Sequence, residues 1–320
     1  MDSTPYLSII ATGRNDDFGG DFNGRFFRAL RFNHEKLTSA GVPHEFVFVE
    51  WRPIERRPFL ATLLAAEFEA LGPSVLRSFV VDSDFHEALS LNPRLQFQEF
   101  IAKNVGIRRA RGRFVLTTNT DIYLGRGVID RLAARELETG ILYRAARHDL
   151  KAGCDVSAID WNLLEDARNC EIVNDIRPPL FTNASGDFLL LDSATYHRLR
   201  GFNEVYRVAK IHIDGNFCLK AAACGVPLVD IGWPVYHVGR GTFHAQVASY
   251  RNRPGQAPWG DMRWKSDVIY ENGEGWGLGF AREKPIDSQT SFLPFEWGAV
   301  GPMVDLDRVV LPRLAQGGAS

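Results

Sequence analysis

The sequence predicts an α/β protein: a mostly parallel, doubly wound central sheet flanked by helices, followed by a loop-rich C-terminal extension. Two observations carry this. Short runs of β-branched and aromatic residues alternate with segments of helical period through the first half of the chain, the pattern of strand–helix–strand units and a parallel sheet. Acidic residues also fall just past several of the predicted strands, where open α/β sheets bind ligands. The length of 320 residues suits one large α/β domain or two small ones, and 45% apolar with 24% charged residues is an ordinary globular composition.

The elements follow in order. Tyr6–Ile10 reads as a strand, and Phe22, Phe26, Phe27, Leu30 and Leu37 recur at helical spacing up to a closing Gly41. Phe46–Val49 is a second strand, ended by Glu50. Pro58 suits the first turn of a helix that the pattern extends to Leu71, and Ser78–Val81 is a third strand. A helix over Phe97–Arg111 and a strand at Phe114–Leu116 complete the half. Beyond them, Asp187–Leu191 is predicted as a strand, Ser193–Tyr196 starts a short helix, and Asp214–Cys224 is a helix stopped by Gly225 and Pro227. Val235–His237 ends a strand, and after Gly239 the chain is rich in Gly, Pro, Trp and Asn. The last residues, Ala315–Ser320, are expected to fray.

The stretch Ala102–Leu124, AKNVGIRRARGRFVLTTNTDIYL, is the most informative. It runs from helix through Gly112 and a short apolar strand into Asn119 and Asp121. A carboxylate at this strand end is placed to hold a divalent metal on a phosphate, although Asn-x-Asp alone is also ordinary turn chemistry. In its whole context the segment closely resembles the family 2 glycosyltransferases of the GT-A fold. Their pattern is an Arg-Asn-x-Gly-Ile helix, a Gly, an apolar strand and a D-x-D motif. Lys103-Asn104, Gly106-Ile107, Ala110, Gly112 and Asp121 match in order, while Asn119 replaces the first Asp of D-x-D. Asn keeps hydrogen bonds and loses a charge. The resemblance therefore implies Asp121 as the metal ligand and Asn119 as a contact to sugar or ribose.

A second block, Gly186–Gly225, extends the resemblance. Gly186–Leu191 is similar to the family's acceptor-side strand, and Gly201-Phe202-Asn203-Glu204 to its G-G-F-D-E. Ile213-Asp214 stands where the family has the E-D pair that supplies the catalytic base. The resemblance thus implies Asp214 as the base, with Asp187 the next candidate; a carboxylate at a helix start is also a cap. Inverting transfer needs one carboxylate near the acceptor hydroxyl to take its proton. His237 stands where several GT-A enzymes carry a further metal ligand, with His244 as its competitor and a core role as the alternative. Imidazole suits Mn²⁺ better than Mg²⁺, and both remain candidate cofactors.

The nucleotide end is implied in the same way. Thr12 and Arg14 follow the first strand, Glu50 stands where the family's Asp meets uracil, Asp82 ends the third strand, and Lys103 is placed to neutralise phosphate. Each of these also has a plain structural reading. Trp259, Trp264, Trp276 and Trp297 lie among Gly and Pro, with Asn272–Leu278 similar to an N-x-x-x-W-G-L loop of bacterial glycosyltransferases. Such rings stack on sugars or pack in the core.

Composition excludes several classes. A net charge of -2 offers no basic field for nucleic acid. No apolar run reaches the roughly 18 residues of a membrane span, and Met1–Pro5 lacks the features of a signal peptide. Cytoplasmic location is expected, with peripheral membrane contact left open. Cys154, Cys170, Cys218 and Cys224 have no C-x-x-C spacing, so zinc is not expected. The expected division is a nucleotide-sugar half (1–124), an acceptor and catalytic half (125–240) and the C-terminal extension (241–320) packed on the same domain. The expected function is metal-dependent inverting transfer from a nucleotide diphosphate sugar, with a UDP-sugar as the expected donor, to a glycan or lipid-linked glycan, as in polysaccharide synthesis. The alternatives are a retaining GT-A transferase and a non-catalytic nucleotide- or sugar-binding protein of the same fold.

Overall fold

The structure is a computed structural model, described here for residues 4–174, 185–207, 213–238 and 269–296. Strand β1 spans Leu7–Gly13, helix α1 Phe22–Ser39 and β2 His44–Trp51. Then come α2 (Leu60–Glu67), α3 (Gly72–Val75), β3 (Leu76–Val81), α4 (Ser83–Leu89) and α5 (Glu99–Arg109). They are followed by β4 (Phe114–Thr117), β5 (Ile122–Leu124), α6 (Arg126–Ala133), β6 (Leu142–Arg144) and β7 (Arg147–Leu150). Next are α7 (Trp161–Glu165), β8 (Cys170–Asn174), β9 (Leu189–Asp192), α8 (Ser193–Leu199) and α9 (Ile213–Ala223). The series closes with β10 (Leu228–Asp230), β11 (Val235–His237), β12 (Lys284–Pro285) and β13 (Thr290–Leu293).

Among the described residues the strands form two sheets, ordered β10-β6-β9-β4-β1-β2-β3-β13-β12 and β5-β11-β7-β8. In the large sheet β1 lies parallel to β2 and β4, β3 parallel to β2 and β13, and β6 parallel to β10. Only β9 and β12 run against their neighbours there. The sheet is covered on both faces, which is why β1 and β2 are buried end to end rather than on alternate residues. Pleating divides their side chains between two cores. Leu7, Ile9, Phe46, Phe48, Phe114 and Leu116 enter one, with α1 behind them. Ile10, Val47, Val49 and Val115 enter the other, against α5.

Two glycines of the Ala102–Leu124 stretch are explained by close packing. A Cβ on Gly106 would lie 2.5 Å from Ile10 Cγ2, and one on Gly112 would lie 2.5 Å from the Ser8 backbone nitrogen. Helix α5 therefore sits directly on β1, and the turn after it crosses the start of that strand. Gly112 N–H donates to Ser8 Oγ (2.8 Å), which donates in turn to the buried Glu45 Oε1 (2.6 Å).

The structure differs from the sequence reading in three places. The helix from Pro58 stops at Glu67. A single 3₁₀ turn and the short α3 then carry the chain through Gly72, whose φ of 65° ends any continuous helix. The strand expected at Asp187 begins only at Leu189, because Ser185–Asp187 forms a 3₁₀ turn. The C-terminal stretch is also more regular than its composition suggests, with β13 extending the main sheet beside β3. No described helix is long and apolar enough to cross a membrane. The four cysteines are free thiols.

Candidate active site at the end of the fourth strand

The chain leaves β4 through Thr118 and Asn119 to Asp121, then enters β5. Antiparallel pairing of β5 with β11 sets His237 opposite Ile122, and parallel pairing of β11 with β7 sets it beside Asp149. Sheet register therefore brings three distant residues together. His237 Nε2 lies 3.4 Å from Asp121 Oδ2, and His237 Nδ1 lies 3.3 Å from Asp149 Oδ1. Arg25 of α1 approaches from the other side, its Nε 3.7 Å from Asp121 Oδ2. That Nε is buried without a hydrogen-bond partner among the described residues. Its terminal nitrogens donate to the carbonyls of Phe18, Gly19 and Gly20.

Burial by itself raises the Asp121 carboxyl, but the bond to His237 and the charges of His237 and Arg25 outweigh it and hold the pKa below the usual carboxylate value. Burial lowers His237, yet the two flanking carboxylates push its pKa up to about 9. Asp149 is likewise raised by burial and brought down to about 2 by His237 and Arg147. Arg147 Nη2 lies 2.9 Å from His237 Nδ1. A guanidinium only donates, so this contact requires a bare Nδ1, in conflict with an imidazolium. The shorter bonds of Arg147 to Asp149, 2.6 and 2.8 Å, are the ones that hold it, and the ring's Nδ1–H belongs to Asp149.

A second acidic wall adjoins the first. Asp187, 4% exposed, receives Asn119 Nδ2 at 2.7 Å and Arg147 Nη1 at 3.1 Å, while its backbone carbonyl accepts from Thr118 Oγ1 at 2.8 Å. Lys103 is fully buried; its Nζ donates to Asn119 Oδ1 (3.2 Å) and Gly186 O (3.0 Å) and pairs with Glu99 (2.9 Å). Asp214, in the first turn of α9, accepts from Gly186 N at 2.7 Å. The structure thus gathers Lys103, Asn119, Asp121, Asp187, Asp214 and His237 into one connected group.

The residues read for the nucleotide end stand apart from it. Thr12 is buried within β1. Arg14 donates from Nε to Arg52 O (2.8 Å) and pairs with Asp16 (3.6 Å). Glu50 is fully buried, its Oε2 accepting from Ala61 N at 2.9 Å at the start of α2. Asp82 caps α4 through Asp84 N (3.2 Å) and accepts from Phe295 N (3.1 Å). Among the described residues neither acid bonds to the Asp121–His237 group. His244, Trp259, Trp264, Trp297 and the terminal Ala315–Ser320 lie outside the described residues. Trp276 is buried, edge-on to His197 with Arg108 over its ring.

Asn104 is a structural member of its motif. Its Nδ2 donates to Glu204 Oε1 and to Phe202 O (2.8 Å each), and its Oδ1 accepts from Phe202 N (2.7 Å). Glu204 Oε1 also accepts from Gly277 N at 2.8 Å, which ties the Trp276 turn to α5. Sequence reasoning missed Arg147, Asp149 and Arg25. The first two sit on the short polar strand Arg-His-Asp-Leu, which has no apolar run to mark it.

The donor set fits a divalent ion of which the protein itself would supply only part of the coordination. Asp121 offers a carboxylate, and the Nε2 of His237 faces it with Asp149 behind the ring, the arrangement that orients a ligating imidazole. Among the described residues no three His, Cys, Asp or Glu side chains converge into a closed cage.

Fold and site together define an α/β protein with an acidic, histidine-containing cluster of side chains just beyond β4 of a mostly parallel sheet. No protein-family model matches the chain, and no curated protein matches it in sequence. Solved structures that it is similar to are glycosyltransferases. One is the catalytic domain of Drosophila β1,4-galactosyltransferase 7 in complex with xylobiose, 11% identical over 90% of this chain and 92% of that one, with a TM-score of 0.41. A mutant of the same enzyme, solved with manganese, UDP-Gal and xylobiose, gives the same values. The mannosyltransferase PcManGT from Pyrobaculum calidifontis, in complex with GDP-Man and Mn²⁺, is 13% identical over 86% of this chain and 72% of that one, with a TM-score of 0.46.

Proposed function

We propose that this protein is a metal-dependent inverting glycosyltransferase of the GT-A type, moving a sugar from a nucleotide diphosphate, a UDP-sugar in the first instance, to a hydroxyl of a glycan or lipid-linked glycan. The observation that carries the reading is the 3.4 Å approach of His237 Nε2 to Asp121 Oδ2, with Asp149 oriented behind the ring. Asp121 and His237 would hold the cation, and the chemistry it would supply there is Lewis-acid stabilisation of the charge on the departing diphosphate.

The remaining roles belong to the chain. Arg25, whose Nε has no hydrogen-bond partner among the described residues, contributes positive charge next to Asp121. Asp214 takes the proton from the acceptor hydroxyl as its oxygen attacks. One of its oxygens is fixed by Gly186 N–H, which leaves the other for that proton. Lys103 and Arg147 set the positions of Asn119 and Asp187 around the sugar. Isothermal calorimetry with UDP tests the reading: binding should require Mn²⁺ and vanish with a chelator. Nucleotide release from a panel of UDP-, GDP- and dTDP-sugars then identifies the donor. UDP affinity that is indifferent to metal, with no release from any donor, would favour a plain nucleotide-binding protein.

A further inference from the structure

Asn119 replaces an acid of the motif it resembles, and both ends of its amide are engaged within the protein. Lys103 Nζ has only hydrogens to give, so the Asn119 atom 3.2 Å from it is the oxygen. The amide nitrogen is thereby turned to Asp187 Oδ1 at 2.7 Å. Arg147 Nη1 holds the other Asp187 oxygen at 3.1 Å, and Thr118 Oγ1 fixes its backbone carbonyl. Fully buried Lys103 also donates to Gly186 O, one residue before Asp187, so the same ammonium steadies both partners. A carboxylate at position 119 would face a second carboxylate across this short contact, and like charges there repel.

From this geometry we infer that Asn119 is a positioning residue for Asp187: the acid on this side of the cluster is supplied by the 3₁₀ turn at Asp187, and residue 119 serves as its hydrogen-bond donor. What the carboxylate serves rests on the glycosyl-transfer reading; the pairing itself does not. It follows that Asn119→Asp, which would restore the motif's acid, damages the site.

The test is a double-mutant cycle on the full chain with two readouts: the metal-free melting midpoint, and the affinity for UDP-glucose in the presence of Mn²⁺. N119A and D187A should each weaken UDP-glucose binding by about tenfold or more, the scale of one lost charge-assisted hydrogen bond. The double variant should bind no more than about twofold less tightly than D187A, because residues acting through one another are non-additive. N119D should melt below N119A. A full further loss on adding N119A to D187A would overturn the inference, since Asn119 would then meet the ligand itself. An N119D midpoint at or above that of N119A would overturn it too. If N119D does not fold, N119A and D187A still complete the cycle. Failure of the parent to bind UDP-glucose would count against the donor, while non-additivity of the melting midpoints still decides the pairing.

Discussion

Asp149 stands directly behind His237, its Oδ1 3.3 Å from the ring's Nδ1, while the opposite nitrogen faces Asp121. An imidazole flanked in this way has its orientation set by one carboxylate and its Nε2 turned toward another. This makes Asp149 a testable part of the proposed metal site. Asp149→Asn should lower Mn²⁺ affinity by roughly 10–100-fold, the usual effect of losing the partner behind a ligating histidine. Mn²⁺ titration followed by electron paramagnetic resonance measures it. Unchanged affinity would show that the ring is oriented without Asp149.

Asp121→Ala should abolish Mn²⁺-dependent UDP binding while the protein stays folded. The substitution leaves Arg25 and His237 facing each other without a carboxylate between them, so some loss of midpoint is expected. Calorimetry with and without Mn²⁺ checks it, and metal-coupled UDP binding that survives would remove Asp121 as a ligand.

His237→Ala should likewise weaken Mn²⁺ more than it weakens the fold. Equal thermal destabilisation with a normal Mn²⁺ titration would make His237 a core residue. His244→Ala is the control.

Asp214→Asn should separate binding from chemistry. The amide oxygen can still accept from Gly186 N–H, so donor affinity and midpoint should stay near those of the parent. Turnover should fall by roughly 10²–10⁴-fold, as for a lost general base. Transfer at the parental rate would leave Asp214 as a structural acceptor and pass the base role to Asp187.

Stability should depend on pH through Glu50. Burial pushes its carboxyl up to about 7, against the smaller opposing effect of backbone donors at Ala61 and Leu60. Its Oε1 has no partner among the described residues. The folded protein therefore holds this proton more tightly than the unfolded chain does. The stability this confers is present below the unfolded value of about 4.5 and is lost as pH rises towards about 7, by at most about 3 kcal/mol. Glu50→Gln should flatten that part of the profile in denaturant titrations. An unchanged slope would mean that Glu50 ionises freely in the fold.

The central sheet was legible because its signals are local. Phe46–Val49 and Phe114–Leu116 are β-rich runs with clear stops, and the helix after Phe97 carries its own period. Asp121 and His237 were singled out through the family resemblance; their 3.4 Å approach follows from the pairing of β5 with β11. Arg147 and Asp149 were not: β7 is short and polar, and it matters only through its register with β11. Glu50 shows the opposite failure. A strand-end carboxylate looks exposed in the sequence, but its burial depends on where α2 packs, which pairwise spacing cannot report. β13 was missed because four residues among prolines and glycines carry too little pattern, and β3 supplies the rest by pairing with it.

That pairing bears on how the molecule is made. Ser78 meets Thr290 and Val81 meets Leu293, so one row of hydrogen bonds on β3 waits for a partner from far along the chain. Synthesis of the intervening stretch takes on the order of ten seconds or more at ribosomal speed. Until then the nascent protein presents an open strand edge of the kind that recruits other chains. A product terminated before Thr290 would keep that edge for its lifetime. Its fate would be set by chaperones and proteases before any property of the Asp121–His237 group came into play.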